Sequence, residues 1–416
     1  MKTNKSIVVI GGGIAGITSA LELANGGSTV YLIEREAQIG GQAASFCCKA
    51  TEVCSKCSAC LLPQRLSEVA SHPQISILTN STVTGVSGGL GNFQVEVEQK
   101  PQYISSQNCI ACGMCVEVCP TTPKAIQSPS PEAVPYSYSI DESQCLRLKG
   151  EKCHRCREVC PTNAITFEHK LERQQLNAGA IIVATGFDVF NARQVGCLNY
   201  GRYPNVLTGL DLERIFRNQG SLKFSSNGKK PKKVAFIQCV GSRDENHGYC
   251  SQVCCKYAIR LARLIIHQNP DAEVTIFYID LQTAGKGFAE FYKECQESIR
   301  FIRGVPIEIL EAPSDKVEVR FENISEGRVE RENFDLVTLS VGIAPREDSW
   351  ELAKVLGMNL GDDGFFDTKE PFNSVETNVE GIFLAGACQG PKDIPDSIAH
   401  GISAAERAME VLQRCK

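Results

Sequence analysis

Residues 6–36 read SIVVIGGGIAGITSALELANGGSTVYLIERE, and they constrain the fold more than any other stretch. A buried-strand run meets a glycine turn, a helical run follows, and a second strand closes the unit. Gly11, Gly13 and Gly16 stand in G-x-G-x-x-G spacing. In that motif the first glycine permits the tight turn and the second lets backbone approach a pyrophosphate. The third lets helix pack on strand. The helix N-terminus then faces the phosphates. Glu34 closes the second strand, 18 residues after Gly16, where an acid accepts from a ribose hydroxyl. Together these features predict a dinucleotide site in a parallel α/β sheet.

The chain has 416 residues, enough for two or three domains. Its net charge of −5, without a long basic block, gives no reason to expect nucleic acid. The first residues run straight into a strand, and no apolar stretch approaches membrane-spanning length. The expectation is a cytoplasmic protein that meets a membrane only through partners. The unusual count is 21 cysteines, grouped at 47–60, 109–119, 145–160 and 239–255. In a long chain without an export signal, grouped cysteines point to metal rather than disulfides.

Cys109, Cys112, Cys115 and Cys119-Pro120 form C-x2-C-x2-C-x3-C-P, the bacterial ferredoxin run for [4Fe–4S] clusters. Cys145, Cys153, Cys156 and Cys160-Pro161 repeat it, with a first gap of seven residues, LRLKGEK. The fourth cysteine of such a run ligates the other cluster. The expected sets are therefore Cys109, Cys112, Cys115, Cys160 and Cys145, Cys153, Cys156, Cys119, with Cys145 the least secure ligand. A pair of zinc sites is the competing reading, but zinc ribbons need neither the C-P endings nor the crossed repeat.

A second βαβ unit is predicted over 232–280: KKVAFIQ, a loop, SQVCCKYAIRLARLIIHQ and AEVTIFYID. Where a glycine-rich loop would hold NAD(P)H, Cys239, Cys250, Cys254 and Cys255 stand instead. Spacing alone leaves a cluster and a set of buried or redox-active thiols equally open. Neighbours on a helix point about 100° apart, which makes adjacent Cys254 and Cys255 unusual as ligands. Cys54, Cys57 and Cys60, after Cys47 and Cys48, mimic a ferredoxin run without its C-P end. They fit a fourth cluster or structural thiols.

Gly40-Gly41-Gln42, Ala184-Thr185-Gly186 and TNVEGIFLAGAC at 377–388 resemble, in order, motifs of FAD enzymes related to thioredoxin reductase. That resemblance implies FAD, with contacts at Gly11, Gly13, Ala15, Gly16, Glu34, Arg35, Gly41, Gln42, Val83, Ala184, Thr185, Gly186, Gly386 and Ala387. The family's usual Asp after the late glycine is Ala387 here, which puts the ribityl contact in doubt. The CVGSRD…YCSQVCC loop, the ferredoxin insert and the ending LAGACQGPKDIPDSIAHG together resemble the A subunit of heterodisulfide reductase. This implies a [4Fe–4S] cluster on Cys239, Cys250, Cys254 and Cys255, so that electrons leave the flavin through iron. Long members of that family are expected to carry an extension before the flavin strand and a second ferredoxin module at the end; without these, the sequence resembles the A subunit of the quinone-interacting membrane-bound oxidoreductase of sulfate reducers. There the partners join the quinone pool to adenylylsulfate reductase.

The fold class expected is α/β: a thioredoxin-reductase-like two-nucleotide-domain flavoprotein with an inserted two-cluster ferredoxin domain. Its expected parts are an FAD-binding domain (1–102, 171–227 and 346–416), a ferredoxin insert (103–170) and a second nucleotide-type domain (228–345). The function expected is FAD/iron–sulfur electron transfer within a multi-subunit oxidoreductase, with no side chain acting as acid or base. One rival is an NAD(P)H-dependent reductase like the small subunit of glutamate synthase. The other is a structural or redox-sensing cluster subunit. Lys256 is read as a solvated cation and Arg260 as one near the flavin. The histidines are read as ordinary. Cys197, Cys295, Cys388 and Cys415 are read as small apolar side chains.

Overall fold

The computed structural model describes residues 5–129, 132–223, 228, 230–282 and 285–414. Ser6–Ile10 is the middle strand of a five-stranded parallel sheet. Its order is Ile382–Leu384, Ala180–Val183, Ser6–Ile10, Thr29–Ile33, Ile75–Leu78. Ile7, Val8, Val9, Ile181, Ile182 and Val183 are wholly buried, as a parallel sheet covered on both faces requires. One face carries the helices Ile14–Asn25 and Ile394–Arg414. The other carries an antiparallel sheet of Ser81–Gly89, Asn92–Gln99 and Glu172–Ala178. Asn92–Gln99, NFQVEVEQ, alternates as a half-covered strand should. Its Phe93, Val95 and Val97 enter the core while Gln94 and Glu96 face solvent.

Asn92–Gln99 and Glu172–Ala178 pair directly, Gln99 opposite Glu172. The residues between them rise from the tip of this hairpin as a separate small body. Ile104 bridges Ile165 at its base, and its own core contains Cys115, Cys119, Cys145, Cys156, Ile126 and Ile165. Two single-turn helices, Met114–Glu117 and Arg155–Glu158, occupy matching positions in its two halves. A two-stranded ribbon, Ile126–Gln127 against Ser139–Ile140, crosses beneath them.

The second sheet has seven strands in the order Val206–Thr208, Leu336–Val341, Lys233–Val240, Glu273–Tyr278, Ile299–Ala312, Lys316–Asn323 and Arg328–Phe334. The first five are parallel and the last two complete an antiparallel meander. The helices Gly209–Gln219, Cys254–Gln268 and Phe288–Cys295 cover one face. Thr208 and Asp211 form a reciprocal capping box at the start of the first of them, and Gly220 ends it in the left-handed conformation. The predicted second βαβ unit is present, but its helix begins at Cys254 rather than Ser251. Ser251 is held outside the helix, its Oγ accepting from the Ile343 N–H at 2.9 Å. Among the described residues no helix is long and apolar enough to cross a membrane.

Candidate functional site

A cavity of about 820 Å³ lies between the two sheets, against the C-terminal ends of their parallel strands. This is where open α/β sheets place ligands. From the first sheet it is lined by Gly11, Gly13, Ala15, Glu34, Arg35, Gly41, Gln42, Ala184, Thr185, Gly186 and Ala387. Gly13 caps the helix Ile14–Asn25 without any side-chain hydrogen bond, so the first-turn N–H groups face the cavity free for an anion. The Glu34 carboxylate accepts from Gly12 N–H at 2.7 Å and from Glu36 N–H at 2.9 Å. Burial raises its pKa, and those two N–H bonds pull the other way. Thr185 Oγ1 is buried, lines the cavity and has no partner. An orphaned hydroxyl here is what a bound polar ligand would satisfy. With the open glycine turn, it makes the residues fit a dinucleotide.

Three expected contacts do not line this cavity. Gly16 is the packing glycine: a Cβ there would stand 1.9 Å from Gly11 O. Gly386 holds the turn after strand Ile382–Leu384 against the helix Ile14–Asn25, where a Cβ would meet that of Ala15 at 2.5 Å. Val83 lies in the antiparallel sheet opposite Val97 and packs into the core. The second domain adds Lys256, Tyr257, Arg260, Val341, Ile343 and Arg346. Lys256 therefore departs from the solvated reading: it faces the cavity and lies 3.4 Å from Asp393. Arg260 donates to the carbonyls of Ser55 and Lys56 at 2.9 and 3.3 Å and so clamps the cysteine segment before the helix Leu61–Ser71.

In the insert, two small cavities are each ringed by four cysteines. One is lined by Cys109, Cys112, Cys115 and Cys160, the other by Cys119, Cys145, Cys153 and Cys156. The crossing of the fourth cysteines is therefore present in the folded chain, and Cys145 stands with its set despite the long gap. Burial pushes the Cys115 and Cys156 thiols up to about 11. Burial also acts on Cys119 and Cys160, but hydrogen bonds outweigh it and hold both thiols below their usual range. They come from Thr121 and Ala125 for Cys119, and from Ala164 and Thr162 for Cys160. Ala164 N–H donates to Cys160 Sγ at 3.3 Å.

Cys239, next to last in the strand Lys233–Val240, has φ +60°, and Cys254 and Cys255 open the helix Cys254–Gln268. The Cys254 thiol is hydrogen-bonded to those of both Cys239 and Cys255. That bonding lowers Cys239, lowers Cys255 to about 7 and raises Cys254. Burial raises Cys250. Arg243, paired with Asp280 at 3.1 Å, adds positive potential beside Cys239 and Cys255. The earlier group is less coherent: Cys57 faces the large cavity, Cys54 and Cys60 are exposed, and Cys47 lies in the second domain's core. Among the described residues no three His, Cys, Asp or Glu converge to hold a single metal ion, and the described cysteines are free.

Sequence reading missed two features. Lys49 is 3% exposed and Glu213 0%, and they form an ion pair between the segment after Gly41–Ser45 and a helix of the seven-stranded sheet. Lys49 Nζ also lies 5.2 Å and 5.6 Å from the Phe46 and Tyr257 ring centroids and faces the large cavity. Glu213 accepts from Cys47 N–H at 2.7 Å, and burial followed by this carboxylate pushes the Cys47 thiol up to about 12. His400 is not an ordinary histidine: Nδ1 accepts from Gly386 N–H at 3.0 Å while Nε2 lies 2.8 Å from Ser374 O. Nothing in local spacing marked either feature. Of the small apolar cysteines, Cys295 and Cys388 are buried, but Cys197 is exposed, a correction; Cys415 lies outside the described residues.

Residues 5–408 match the family model of pyridine nucleotide-disulphide oxidoreductases. The chain is 42% identical to the A subunit of the H(2):CoB-CoM heterodisulfide,ferredoxin reductase of Methanothermobacter thermautotrophicus, over 96% of this chain and 63% of that protein. It is 42% identical to the iron-sulfur A subunit of the CoB--CoM heterodisulfide reductase of Methanocaldococcus jannaschii, over 97% of this chain and 64% of the relative. The chain thus spans less than two thirds of the length of these relatives. Thioredoxin reductases of Lactococcus lactis and T. acidophilum share its fold, each with a TM-score of 0.53. Identities are 17% and 15%, and each match covers 98% of this chain and 99% of the other.

Proposed function

The chain belongs to the family of heterodisulfide reductase A subunits, and from that premise we propose that it is the FAD- and iron–sulfur-containing electron-transfer subunit of a larger oxidoreductase. FAD occupies the large cavity, where it supplies the exchange between two-electron and one-electron chemistry. The chain's own residues seat it. The glycine turn and the free N–H groups after Gly13 take the pyrophosphate, Glu34 accepts from the ribose, and Thr185 donates its unpartnered hydroxyl. Lys49, Lys256 and Arg260 bring positive charge to the cavity and favour an anionic ligand. The division expected from the sequence serves this role, with an FAD-binding domain at 1–102, 171–227 and 346–416, the insert at 103–170 and the second domain at 228–345, except that Val206–Thr208 and Gly209–Gln219 join the seven-stranded sheet.

The two crossed sets, Cys109/Cys112/Cys115/Cys160 and Cys119/Cys145/Cys153/Cys156, hold [4Fe–4S] clusters. Thiols around a cavity suit a cube better than a single ion, which needs all four on one point. Cys239, Cys250, Cys254 and Cys255 hold a third at the helix N-terminus, where the dipole eases its negative charge. Cys54, Cys57 and Cys60 are the weakest candidate set.

The observation that carries this reading is the ribbon Ile126–Gln127/Ser139–Ile140. Gln127 and Ser139, paired across it, line the large cavity, while Ile126 and Ile140 line the Cys119/Cys145/Cys153/Cys156 cavity. One layer of backbone separates the two sites. The partners are other subunits of a heterodisulfide-reductase or quinone-interacting complex. A link from the quinone pool to adenylylsulfate reductase rests on the resemblance to the quinone-interacting oxidoreductase alone. In stepwise anaerobic titration with dithionite, reduced-cluster EPR signals are expected to rise in proportion to flavin bleaching. Rapid bleaching by NADPH alone would overturn the reading in favour of an NAD(P)H reductase.

A further inference from the structure

The gap LRLKGEK between Cys145 and Cys153 adds no cysteine to the set, and its charge is unlike anything around the sister set. Residues 145–160 contain Arg147, Lys149, Lys152, Arg155 and Arg157 against two acids, Glu151 and Glu158: five minus two, a net +3. The matching residues 109–119 contain no Lys or Arg and one acid, Glu117, a net −1. The whole chain carries −5, so this is a local concentration of positive charge on an acidic molecule.

All five cations are exposed. Only Arg157 has an ion pair among the described residues, with Glu168 at 3.8 Å. Exposed cations held close together repel, and a chain gains no stability from them unless something else uses them. Arg147 and Arg155 also line the Cys119/Cys145/Cys153/Cys156 cavity itself. The rim is thus continuous from the cysteines to solvent. The other cavity is rimmed instead by apolar Ile110, 64% exposed, and Met114, 43% exposed.

We propose that the basic rim of Arg147, Lys149, Lys152, Arg155 and Arg157 is the docking surface for a protein electron carrier with an acidic face. This rests on the relay reading above. A cation cluster beside a redox site steers an acidic partner into place and fixes its orientation. It sits over the cysteine set that only the ribbon separates from the large cavity, so the path from cavity to docked carrier is short. Each encounter moves one electron: the reduced centre loses it, the oxidised carrier gains it, and no bond or proton is exchanged. The apolar rim at Ile110 and Met114 is left for a contact that does not depend on salt.

The test uses full-length chain loaded with iron and FAD, and a strongly acidic plant-type ferredoxin as probe, with binding followed by anaerobic calorimetry. Wild type is expected to bind at about 20 mM salt and to weaken about tenfold or more at about 300 mM. Lys149→Glu/Lys152→Glu, which spares the cavity-lining arginines, is expected to weaken low-salt binding about tenfold or more with iron and FAD content unchanged. The proposal is overturned if wild type does not bind the probe, or if binding ignores both salt and charge reversal. It is also overturned if binding is lost in Ile110→Asp/Met114→Asp but kept in the double lysine variant, or if basic cytochrome c or anionic vesicles bind in the ferredoxin's place. If dithionite titration still shows flavin and clusters sharing electrons, only the port fails and the relay stands.

Discussion

At Gly16 a Cβ would stand 1.9 Å from the Gly11 carbonyl oxygen and 3.3 Å from the Ala184 side chain. Neither the turn nor the strand behind it can retreat without moving the cavity floor. Gly16→Ala is therefore expected to cost about 1–3 kcal/mol by overpacking and to lower retained FAD. Urea unfolding and flavin content after gel filtration would check both. His400 acts through a different single contact. Burial, then the charge of Lys392, lowers its pKa, so the neutral ring with Nδ1 free to accept is the folded form. Its unfolded value is about 6.5, and between the folded and unfolded values the unfolded chain binds more protons. Its contribution to stability is thus complete above about pH 6.5 and is lost as pH falls toward the lowered folded value. Thermal midpoints taken from about pH 7.5 to 5.5 should fall less steeply for His400→Gln than for wild type. Equal slopes would remove His400 from the account.

Among the elements, the ion pair between the segment after Gly41–Ser45 and the helix Gly209–Gln219 ties that segment to the seven-stranded sheet through Lys49 and Glu213. Removing one partner of a buried pair strands a charge. Glu213→Ala is expected to destabilise the chain by about 3–5 kcal/mol, whereas Lys49→Met/Glu213→Leu should recover most of the loss. Denaturant midpoints of the two variants decide this; an equal loss in both would show that the pair is not the cause. This element was invisible in the sequence because its members are 164 positions apart and follow no period. The first βαβ unit, by contrast, was legible residue by residue, since its glycines, helix and acid sit at local spacings set by backbone geometry. The crossed cysteine sets were legible for the same reason. The segment 47–60 misled in part: its C-x2-C-x2-C pattern is local, but the clamp by Arg260 and the burial of Cys47 beside Glu213 come from helices of the seven-stranded sheet. Val83 was misplaced because a strand's pattern shows which face is buried, not which cavity it meets.

On the scale of the molecule, the arrangement follows from where the insert enters. It grows from the tip of a hairpin whose strands stay paired, so the first sheet forms as though nothing had been added. The insert is held against the cavity by its ribbon, and Ile39 pairs with Val134 beside it. The second sheet brings the cysteines of the loop 239–255 to the same cavity from the opposite side, Cys254 at its wall. Loop cysteines, large cavity and insert are thus successive layers of one chain. The measurement that tests this directly is iron, acid-labile sulfide and FAD per chain on anaerobically prepared protein, wild type beside Cys254→Ala/Cys255→Ala. The account predicts about twelve irons and one FAD in wild type, and a loss of about four irons with FAD retained in the variant. Unchanged iron in the variant would contradict it, leaving the loop cysteines as thiols and the relay without its third centre.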